Sequence, residues 1–421
     1  MSQFIANPVN SLKGSVKVPG DKSISHRSIM LGSLSNGVTH VSGFLDGEDA
    51  LCTLKAFQDM GVKIDRNGTD VTIHGVGLDG LKKPDQPLDL GNSGTSMRLM
   101  CGLLSAQSFS CELIGDESLS KRPMGRVINP LNSMGAQIES HDGKPPLKIS
   151  GGKNLTGISY EMPMASAQVK SSILLAGMYA SGRTCVTEPA QTRDHTERML
   201  RGLGADVSSI DNVACISTVK ELHATDIVVP SDISSAAFFM VAGCIAKNSD
   251  IDIVGVNMNP TRTGVIDILK LMGANLTVSN EREIGGELLA DIRVLSSNLK
   301  GIHIPEELVP LAIDEFPVIF IAASHAEGKT ILSGAEELRV KESDRIQVMA
   351  DGLESLGIKT KVLKMELRYL VEILQNPQKL LRLIMTTGLL CHLPLHQLDQ
   401  NTPSQLTGLR RYQHLFLGLL N

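Results

Sequence analysis

The segment Val18-Pro19-Gly20-Asp21-Lys22-Ser23 opens the first copy of a unit that recurs along this chain of 421 residues. In each copy, a short extended segment leads through a small polar loop into an apolar helix rich in Met, Leu and Ala. The loops begin 67 to 80 residues apart and occupy residues 18–23, 90–95, 162–167, 229–234 and 309–314. Solenoid repeats have shorter periods of about 20–50 residues. We therefore expect globular subdomains that share a core.

A second helix in each unit is predicted to end at Met or Leu, followed by Gly. A glycine just past a helix end adopts the left-handed conformation without steric cost. The glycines in this position are Gly61, Gly135, Gly204, Gly273 and Gly357. The segment 328–332 predicts a strand between the first and second helices of a unit. Each unit thus contains two helices and several strands, and the length predicts two domains of α/β structure.

Composition excludes several classes of function. The chain is 42% hydrophobic and 20% charged, which is typical of a globular protein. A net charge of −5, few aromatic residues and no Trp argue against nucleic acid as a partner. We see neither a membrane span nor a secretory signal, and expect a cytoplasmic protein. The seven cysteines include no C-x-x-C pair, so we expect reduced thiols rather than disulfides or a zinc site.

The loops before the first helices hold the candidate chemistry. Residues 21–27 place Lys22 and Arg27 where a helix begins, and a helix N-terminus with cations favours anions. An ordinary N-cap is the alternative interpretation of this motif. The glycine-rich loop 90–98 lacks the ending of a nucleotide P-loop, so a plain turn remains its alternative.

The remaining motifs are also ambiguous when taken singly. Cations at 121–126 could form a solvated corner, and Ser166 could simply cap a helix. Asp314 and Glu315 could be partners of a helix dipole, and 341–345 a solvated helical face. Together, several basic loops and a few carboxylates predict a cleft for phosphorylated anions with acid–base chemistry. Neither metal-ligand spacing nor a dinucleotide fingerprint is present.

The order and spacing of these motifs resemble the 5-enolpyruvylshikimate-3-phosphate synthase family. The resemblance runs from residue 1 to about residue 363. The segments at 122–126 and 166–170 are similar to the bacterial class II branch, which is often less sensitive to glyphosate. The motifs that carry the resemblance are Gly20-Asp21-Lys22-Ser23-Ile24-Ser25-His26-Arg27, Gly91-Asn92-Ser93-Gly94-Thr95, Arg122-Pro123-Met124-Gly125-Arg126, Ser166-Ala167-Gln168-Val169-Lys170, Arg193-Asp194-His195-Thr196-Glu197, Asn259-Pro260-Thr261-Arg262 and Lys341-Glu342-Ser343-Asp344-Arg345.

The resemblance implies a two-domain inside-out α/β barrel built from repeated β-α-β-α-β-β units, with the active site in the cleft between the domains. We expect a discontinuous domain 1 at residues 1–19 and 235–421, and domain 2 at 20–234. Five units are recognisable and the sixth is disrupted. The implied protein is a monomer that needs no metal or organic cofactor.

The implied reaction transfers the enolpyruvyl group of phosphoenolpyruvate to the 5-hydroxyl of shikimate 3-phosphate, a step of the shikimate pathway towards chorismate and the aromatic amino acids. By motif match, the ligands of shikimate 3-phosphate are Ser23, Arg27, Ser166, Gln168 and Lys341. Those of phosphoenolpyruvate are Lys22, Gly94, Arg122 and Arg345. The resemblance assigns the hydroxyl proton to Asp314, and proton transfer at the enolpyruvyl carbon to Glu342 with Lys22.

The last 58 residues depart from this pattern. From Lys364 onward the chain has 17 Leu, no Ala and three Gly. The repeated pattern of helices that end at Met or Leu followed by Gly stops here. Codons compatible with 383–394, read from their third bases, can encode Asp-His-Asp-His-Arg-Ile-Ala-Met-Ser-Phe-Ala, which resembles the family's sixth-repeat motif. Residues 411–417 can likewise encode Val-Ser-Thr-Ser-Phe-Pro. We interpret 364–421 as a frameshifted tail; a divergent C-terminus is the alternative.

Two other functions remain open. A UDP-sugar enolpyruvyl transferase shares the implied fold, but would carry a reactive Cys within residues 114–126, where this chain has none. A non-catalytic repeat scaffold predicts no convergence of cations and acids at the loop positions.

Overall fold

A computed structural model describes residues 11–284, 286–339, 343–365 and 368–374. The chain divides into two compact units. Unit 1 comprises the described residues up to Val18, those from Ser231 to Arg282, and those from Leu288 onward. Unit 2 comprises Pro19–Pro230 and the described residues of Glu283–Glu287. The chain therefore passes between units after Val18 and again after Pro230.

The described residues form mixed α/β structure in which helices and strands follow the predicted repeat. The helices are α1 (Lys22–Leu34), α2 (Glu48–Asp59), α3 (Gly94–Leu104), α4 (Gly125–Ser133), α5 (Ala167–Gly177), α6 (His195–Gly202), α7 (Ile233–Ile245), α8 (Gly264–Leu271), α9 (Phe316–His325) and α10 (Arg345–Ser355). The strands are β1 (Lys13–Val16), β2 (Asn36–Ser42), β3 (Lys63–Asn67), β4 (Asp70–Val76), β5 (Leu88–Asp89), β6 (Cys111–Ile114), β7 (Ile138–His141), β8 (Lys144–Ile149), β9 (Ser159–Glu161), β10 (Thr184–Thr187), β11 (Val207–Ile210), β12 (Val213–Ile216), β13 (Ile227–Val228), β14 (Asp250–Asn257), β15 (Asn275–Ile284), β16 (Glu287–Leu295), β17 (Lys329–Leu332), β18 (Lys359–Met365) and β19 (Arg368–Leu374).

Each repeat contributes one small sheet. The order β5-β6-β8-β7 shows the pattern: the first strand pairs parallel with the second, and the last two strands add as an antiparallel hairpin. In the part of the chain that the structure describes, the other sheets have the orders β13-β2-β4-β3, β9-β10-β12-β11, β1-β14-β16-β15 and β17-β19-β18. The repeat predicted from the loop and glycine spacing is therefore confirmed.

Where the chain crosses between units, the strand before the crossover does not join the sheet of the helix that follows it. Strand β1 precedes α1 in the sequence, yet it pairs parallel with β14, from Lys13 opposite Asp250 to Val16 opposite Ile253. Strand β13 precedes α7, yet it pairs parallel with β2, placing Val228 opposite Ser42. Each crossover segment thus completes a sheet of the unit that it leaves.

The first helix of each repeat is its interior element. In α1 every residue from Ile24 to Leu34 is buried, and in α5 every residue from Val169 to Gly177. A helix buried on all sides needs apolar or small residues all round, which explains the Met, Leu and Ala content of these segments. The second helices end as predicted, because the glycine after each Met or Leu has a positive φ, between +80° and +101°.

The fifth sheet extends past residue 364, where the composition changes. Strand β19 begins at Arg368 and pairs antiparallel with both β18 and β17. The hairpin β18–β19 therefore spans the predicted start of the aberrant tail. The segments 383–394 and 411–417 lie outside the described residues.

The expectation of reduced thiols is wrong for one pair. Cys185 and Cys215 are joined by a disulfide. They lie opposite each other on the antiparallel strands β10 and β12. Because they are 30 residues apart in the sequence, their spacing did not predict this contact. Cys52, Cys101, Cys111 and Cys244 are free thiols.

Candidate functional site

The N-terminus of α1 presents Lys22, Ser23 and Arg27. The buried Asp21 caps this helix, since its Oδ1 accepts a hydrogen bond from the backbone N–H of Ile24 at 2.9 Å. The exposed Lys22 Nζ lies 3.4 Å from Asp49 Oδ2. Sequence alone left open whether this was an ordinary cap or an anion site. The structure contains the cap, and cations accompany it.

Arg27 is almost completely buried and held in a fixed orientation. Its Nε donates to Thr196 Oγ1 at 2.7 Å, Nη1 to the Ser23 carbonyl at 2.9 Å, and Nη2 to Ser171 Oγ at 2.9 Å. Burial lowers the pKa of Arg27, but arginine remains charged at neutral pH. A guanidinium has five N–H donors, and three are used here, so the remaining donors can bind an anion.

The N-terminus of α3 brings two guanidinium groups against one glycine. A Cβ placed on Gly94 would lie 2.9 Å from Arg98 Nη1 and 3.1 Å from Arg122 Nη1. Arg122 Nη2 donates to Asn92 Oδ1 at 2.6 Å. Ser93 caps the helix by accepting from the Ser96 N–H at 3.1 Å. Helix N–H groups and two cations therefore meet at one point, an arrangement suited to phosphate or carboxylate.

The N-terminus of α5 supplies Ser166 and Gln168. Ser166 Oγ accepts from the Val169 N–H at 3.4 Å, so the predicted capping alternative is also present. Gln168 reaches α3, where its Oε1 accepts from Arg98 at 2.6 Å and its Nε2 donates to Thr95 Oγ1 at 3.0 Å. These contacts bring the glycine-rich loop and the Ser-Ala-Gln motif together within unit 2.

A buried ion cluster lies one turn further along α5. Lys170 Nζ is 2.6 Å from Glu188 Oε2 and 2.9 Å from Glu197 Oε1, and all three side chains are at most 4% exposed. Burial disfavours the ammonium charge, but the two carboxylates outweigh it and raise the pKa of Lys170. Glu197 follows Thr196, which accepts a hydrogen bond from Arg27. The cluster therefore helps to hold the chain segment that contacts Arg27.

His26 connects α1 with α2 and with the start of α3. Its Nδ1 lies 2.7 Å from Thr53 Oγ1 and 3.2 Å from Ser96 Oγ, and its Nε2 lies 3.5 Å from Ser93 Oγ. Burial lowers the pKa of His26 to about 3, so its imidazole is neutral at physiological pH.

Within unit 1, Asp314 and Arg345 form a pair. Asp314 Oδ1 accepts from Arg345 Nη1 at 3.0 Å, and both side chains are partly exposed. The neighbouring Glu315 is buried, and its Oε1 lies 3.3 Å from Arg262 Nη2. Lys341 and Glu342 lie outside the described residues.

Two residues that organise the site were not among the predicted site residues. Arg98 lies one helical turn after Gly94, and that spacing of four residues was the available signal. His26 gave no such signal, since its partners belong to other helices far away in sequence. Among the described residues, no cluster of three His, Cys, Asp or Glu side chains could hold a metal ion. Within the same residues, none of the helices is both long and apolar enough to span a membrane.

The repeated α/β units and the cationic helix N-termini define a class of enzyme that binds phosphorylated anions. A family model described as EPSP synthase (3-phosphoshikimate 1-carboxyvinyltransferase) matches residues 6–378. The chain belongs to this family, which confirms the resemblance drawn from its motifs.

Individual relatives agree with this family assignment. The 3-phosphoshikimate 1-carboxyvinyltransferase of Ruthia magnifica subsp. Calyptogena magnifica is 71% identical over 364 residues, covering 86% of this chain and 84% of that protein. Its counterpart in Hydrogenovibrio crunogenus is 65% identical, covering 85% and 82%. The solved EPSP synthase of Acinetobacter baumannii is 58% identical with a TM-score of 0.81, covering 88% of this chain and 84% of that one. The predicted inside-out α/β fold class is thereby confirmed.

Proposed function

We propose that this chain catalyses transfer of the enolpyruvyl group from phosphoenolpyruvate to the 5-hydroxyl of shikimate 3-phosphate. The observation that carries the proposal is the α3 N-terminus, where Gly94 is flanked by Arg98 and Arg122. Both substrates are anions, and burying them without cations would cost several kcal/mol per ion. Family membership supplies the identity of the substrates.

Two groups of residues would hold the substrates. Ser23, Arg27, Ser166 and Gln168 are proposed to bind shikimate 3-phosphate, with help from Lys341. The orientation of Arg27 by three hydrogen bonds supports this role, because a preorganised guanidinium loses little entropy on binding phosphate.

Phosphoenolpyruvate would contact a second group, consisting of Lys22, Gly94, Arg122 and Arg345. A Gly94→Ala substitution would place a methyl group against both guanidiniums. We expect it to weaken phosphoenolpyruvate binding by about tenfold, the equivalent of about 1.4 kcal/mol. Gly125→Ala is the matched control, because Gly125 also begins a helix but has nothing within 4 Å of the added Cβ. The KM for phosphoenolpyruvate at saturating shikimate 3-phosphate, measured on the chain with its reading frame restored, would compare both variants, and equal values would contradict the placement.

The proposed chemistry proceeds in two steps. Asp314 takes the proton of the 5-hydroxyl while the hydroxyl oxygen attacks C2 of phosphoenolpyruvate, and Glu342, with Lys22, protonates C3. The tetrahedral adduct then expels phosphate and loses a proton from C3, which leaves the enol ether. The 3.0 Å hydrogen bond from Arg345 supports the role of Asp314, since it fixes the direction of the carboxylate.

The UDP-sugar alternative is separated from this proposal by cysteine chemistry. The nearest described thiol before residues 114–126 is Cys111, and burial raises its pKa to about 12. A protonated thiol is a poor nucleophile. In the chain with its reading frame restored, phosphate release from phosphoenolpyruvate with shikimate 3-phosphate, but not with a UDP-sugar, is the expected result. A chain that binds neither substrate would favour the non-catalytic scaffold.

The proposal includes the state of the C-terminus. We infer that residues 364–421 are read in a shifted frame and that the chain as given has little activity, because the sixth repeat and its substrate-binding Arg are replaced. The test compares the chain as given with a version in which the frame is restored near codon 363. Full activity from protein whose measured mass matches the given sequence would overturn this inference. A monomeric state and a cytoplasmic location belong to the same proposal, supported by the family resemblance and by the composition.

A further inference from the structure

Arg98 makes the shortest described contact to the carboxamide of Gln168. It lies on α3, one turn after Gly94, and its Nη1 donates to Gln168 Oε1 at 2.6 Å and to the Gly94 carbonyl at 3.4 Å. The backbone of Arg98 is also anchored to α5, since its carbonyl accepts from Ser172 Oγ at 2.7 Å. The guanidinium therefore comes from a fixed segment of helix rather than from a loop.

The chemistry of arginine determines which way the carboxamide faces. A guanidinium can only donate hydrogen bonds, so the Gln168 atom beside it must be the carbonyl oxygen. The amide nitrogen then faces Thr95 Oγ1, at 3.0 Å. An amide NH₂ has two donors, and Thr95 uses one. The other is left for a ligand that accepts hydrogen bonds.

The charge on Arg98 persists in this environment. Burial and the neighbouring Arg122 lower the pKa of Arg98 to about 10. The guanidinium is therefore protonated at neutral pH, and its donor role towards Gln168 holds throughout the physiological range.

We propose that Arg98 is a positioning residue that holds the Gln168 carboxamide with its N–H towards the oxygen atoms of a hydroxylated, phosphorylated anion. The inference rests on the proposed function, because it takes Gln168 as a ligand of shikimate 3-phosphate. Without Arg98 the amide can rotate by half a turn and present its carbonyl oxygen to the anion, which repels it.

A double-mutant cycle tests this role on the full chain. The variants are Arg98→Met, Gln168→Ala and the pair, with shikimate 3-phosphate affinity measured by calorimetry at two ionic strengths. We expect Arg98→Met to weaken binding about tenfold, as for loss of one hydrogen bond to a charged ligand. In the Gln168→Ala background the same substitution should change affinity by less than about twofold. Arg98→Lys, which retains a donor, should recover most of the loss.

Controls separate positioning from folding and from simple charge. Arg183→Met removes an exposed arginine of unit 2 that also donates to a hydroxyl, that of Ser208 at 3.0 Å, and should leave affinity unchanged. Circular dichroism checks that each variant is folded. If Arg98→Met costs the same in both backgrounds, or costs nothing, the inference is overturned while the unsubstituted chain still binds. If the unsubstituted chain itself does not bind shikimate 3-phosphate, the proposed function falls and this inference falls with it.

Discussion

Acid should destabilise unit 2 through one residue, His26. The imidazole is completely buried, and burial lowers its pKa to about 3 from an ordinary value of 6.5. The nearby charges of Asp49, Lys22 and Arg27 act in opposite directions and have smaller effects. Between these two pKa values the unfolded chain binds a proton at His26 that the folded chain does not.

The sign and size follow from linkage. Since the unfolded state binds more protons, the free energy of unfolding falls as the pH falls from 6.5 towards 3. The slope approaches about 1.4 kcal/mol per pH unit, and the loss between pH 7.5 and pH 5 is about 2 kcal/mol. This is a large share of the 5–15 kcal/mol by which domains are typically stable.

Urea unfolding followed by circular dichroism measures the effect, with His26→Asn as the test variant. Asparagine does not titrate, and its amide can place a polar atom near the position of Nδ1, opposite Thr53 Oγ1. The variant should be less stable than the original chain at pH 7.5, and the difference should shrink by about 2 kcal/mol at pH 5. His40→Asn, at an exposed histidine of β2, is the control. A pH dependence identical in the original chain and in His26→Asn would refute the reasoning.

Two further substitutions test the packing beneath the site. Lys170→Met leaves two buried glutamates without their cation and should lower the free energy of unfolding by about 3–5 kcal/mol. Lys55→Met removes an exposed i,i+4 pair and should change stability little. Thermal unfolding compares the two variants, and similar losses of stability would contradict the buried cluster. Gly102→Ala would put a Cβ 1.9 Å from the Ser172 carbonyl oxygen and should destabilise by about 1–3 kcal/mol. Gly352→Ala in α10 meets nothing within 4 Å and should be neutral or stabilise by up to about 1 kcal/mol, so a stable Gly102→Ala would show that α3 and α5 can separate.

The repeat was predictable from sequence because its signals are local. A glycine such as Gly61 ends a helix through its own backbone conformation, whatever surrounds it. The same holds for the polar residues that begin α1, α3 and α5. Asp21, Ser93 and Ser166 each cap their helix with their own side chain. Five copies of such local signals were enough to define the unit before any contact was known.

What escaped prediction depends on contacts between repeats. His26 meets Thr53 and Ser96, which belong to other helices, and periodicity gives no information on such pairs. The exchange of β1 and β13 has no local signal, because each strand has the same local sequence character whichever sheet it joins. It was expected only through the domain boundaries that the family resemblance implies. The Cys185–Cys215 disulfide depends on the register in which β10 and β12 pair. That register is decided when the two strands meet in the sheet, so the positions of the two cysteines in the sequence do not reveal it.

The position of the candidate residues follows from the burial of the first helices. A helix such as α1 or α5 is buried along most of its length within unit 2. Its backbone N–H groups without an intrahelical partner lie in the first turn, so a ligand would meet the helix there. Packing against Ser172, where Gly102 allows a close approach, fixes α3 relative to α5. A side chain on the first turn of either helix therefore has little freedom to move. Interior helices thus fix the geometry of the side chains on their first turns, and a surface loop would not hold Gln168 and Arg98 so closely.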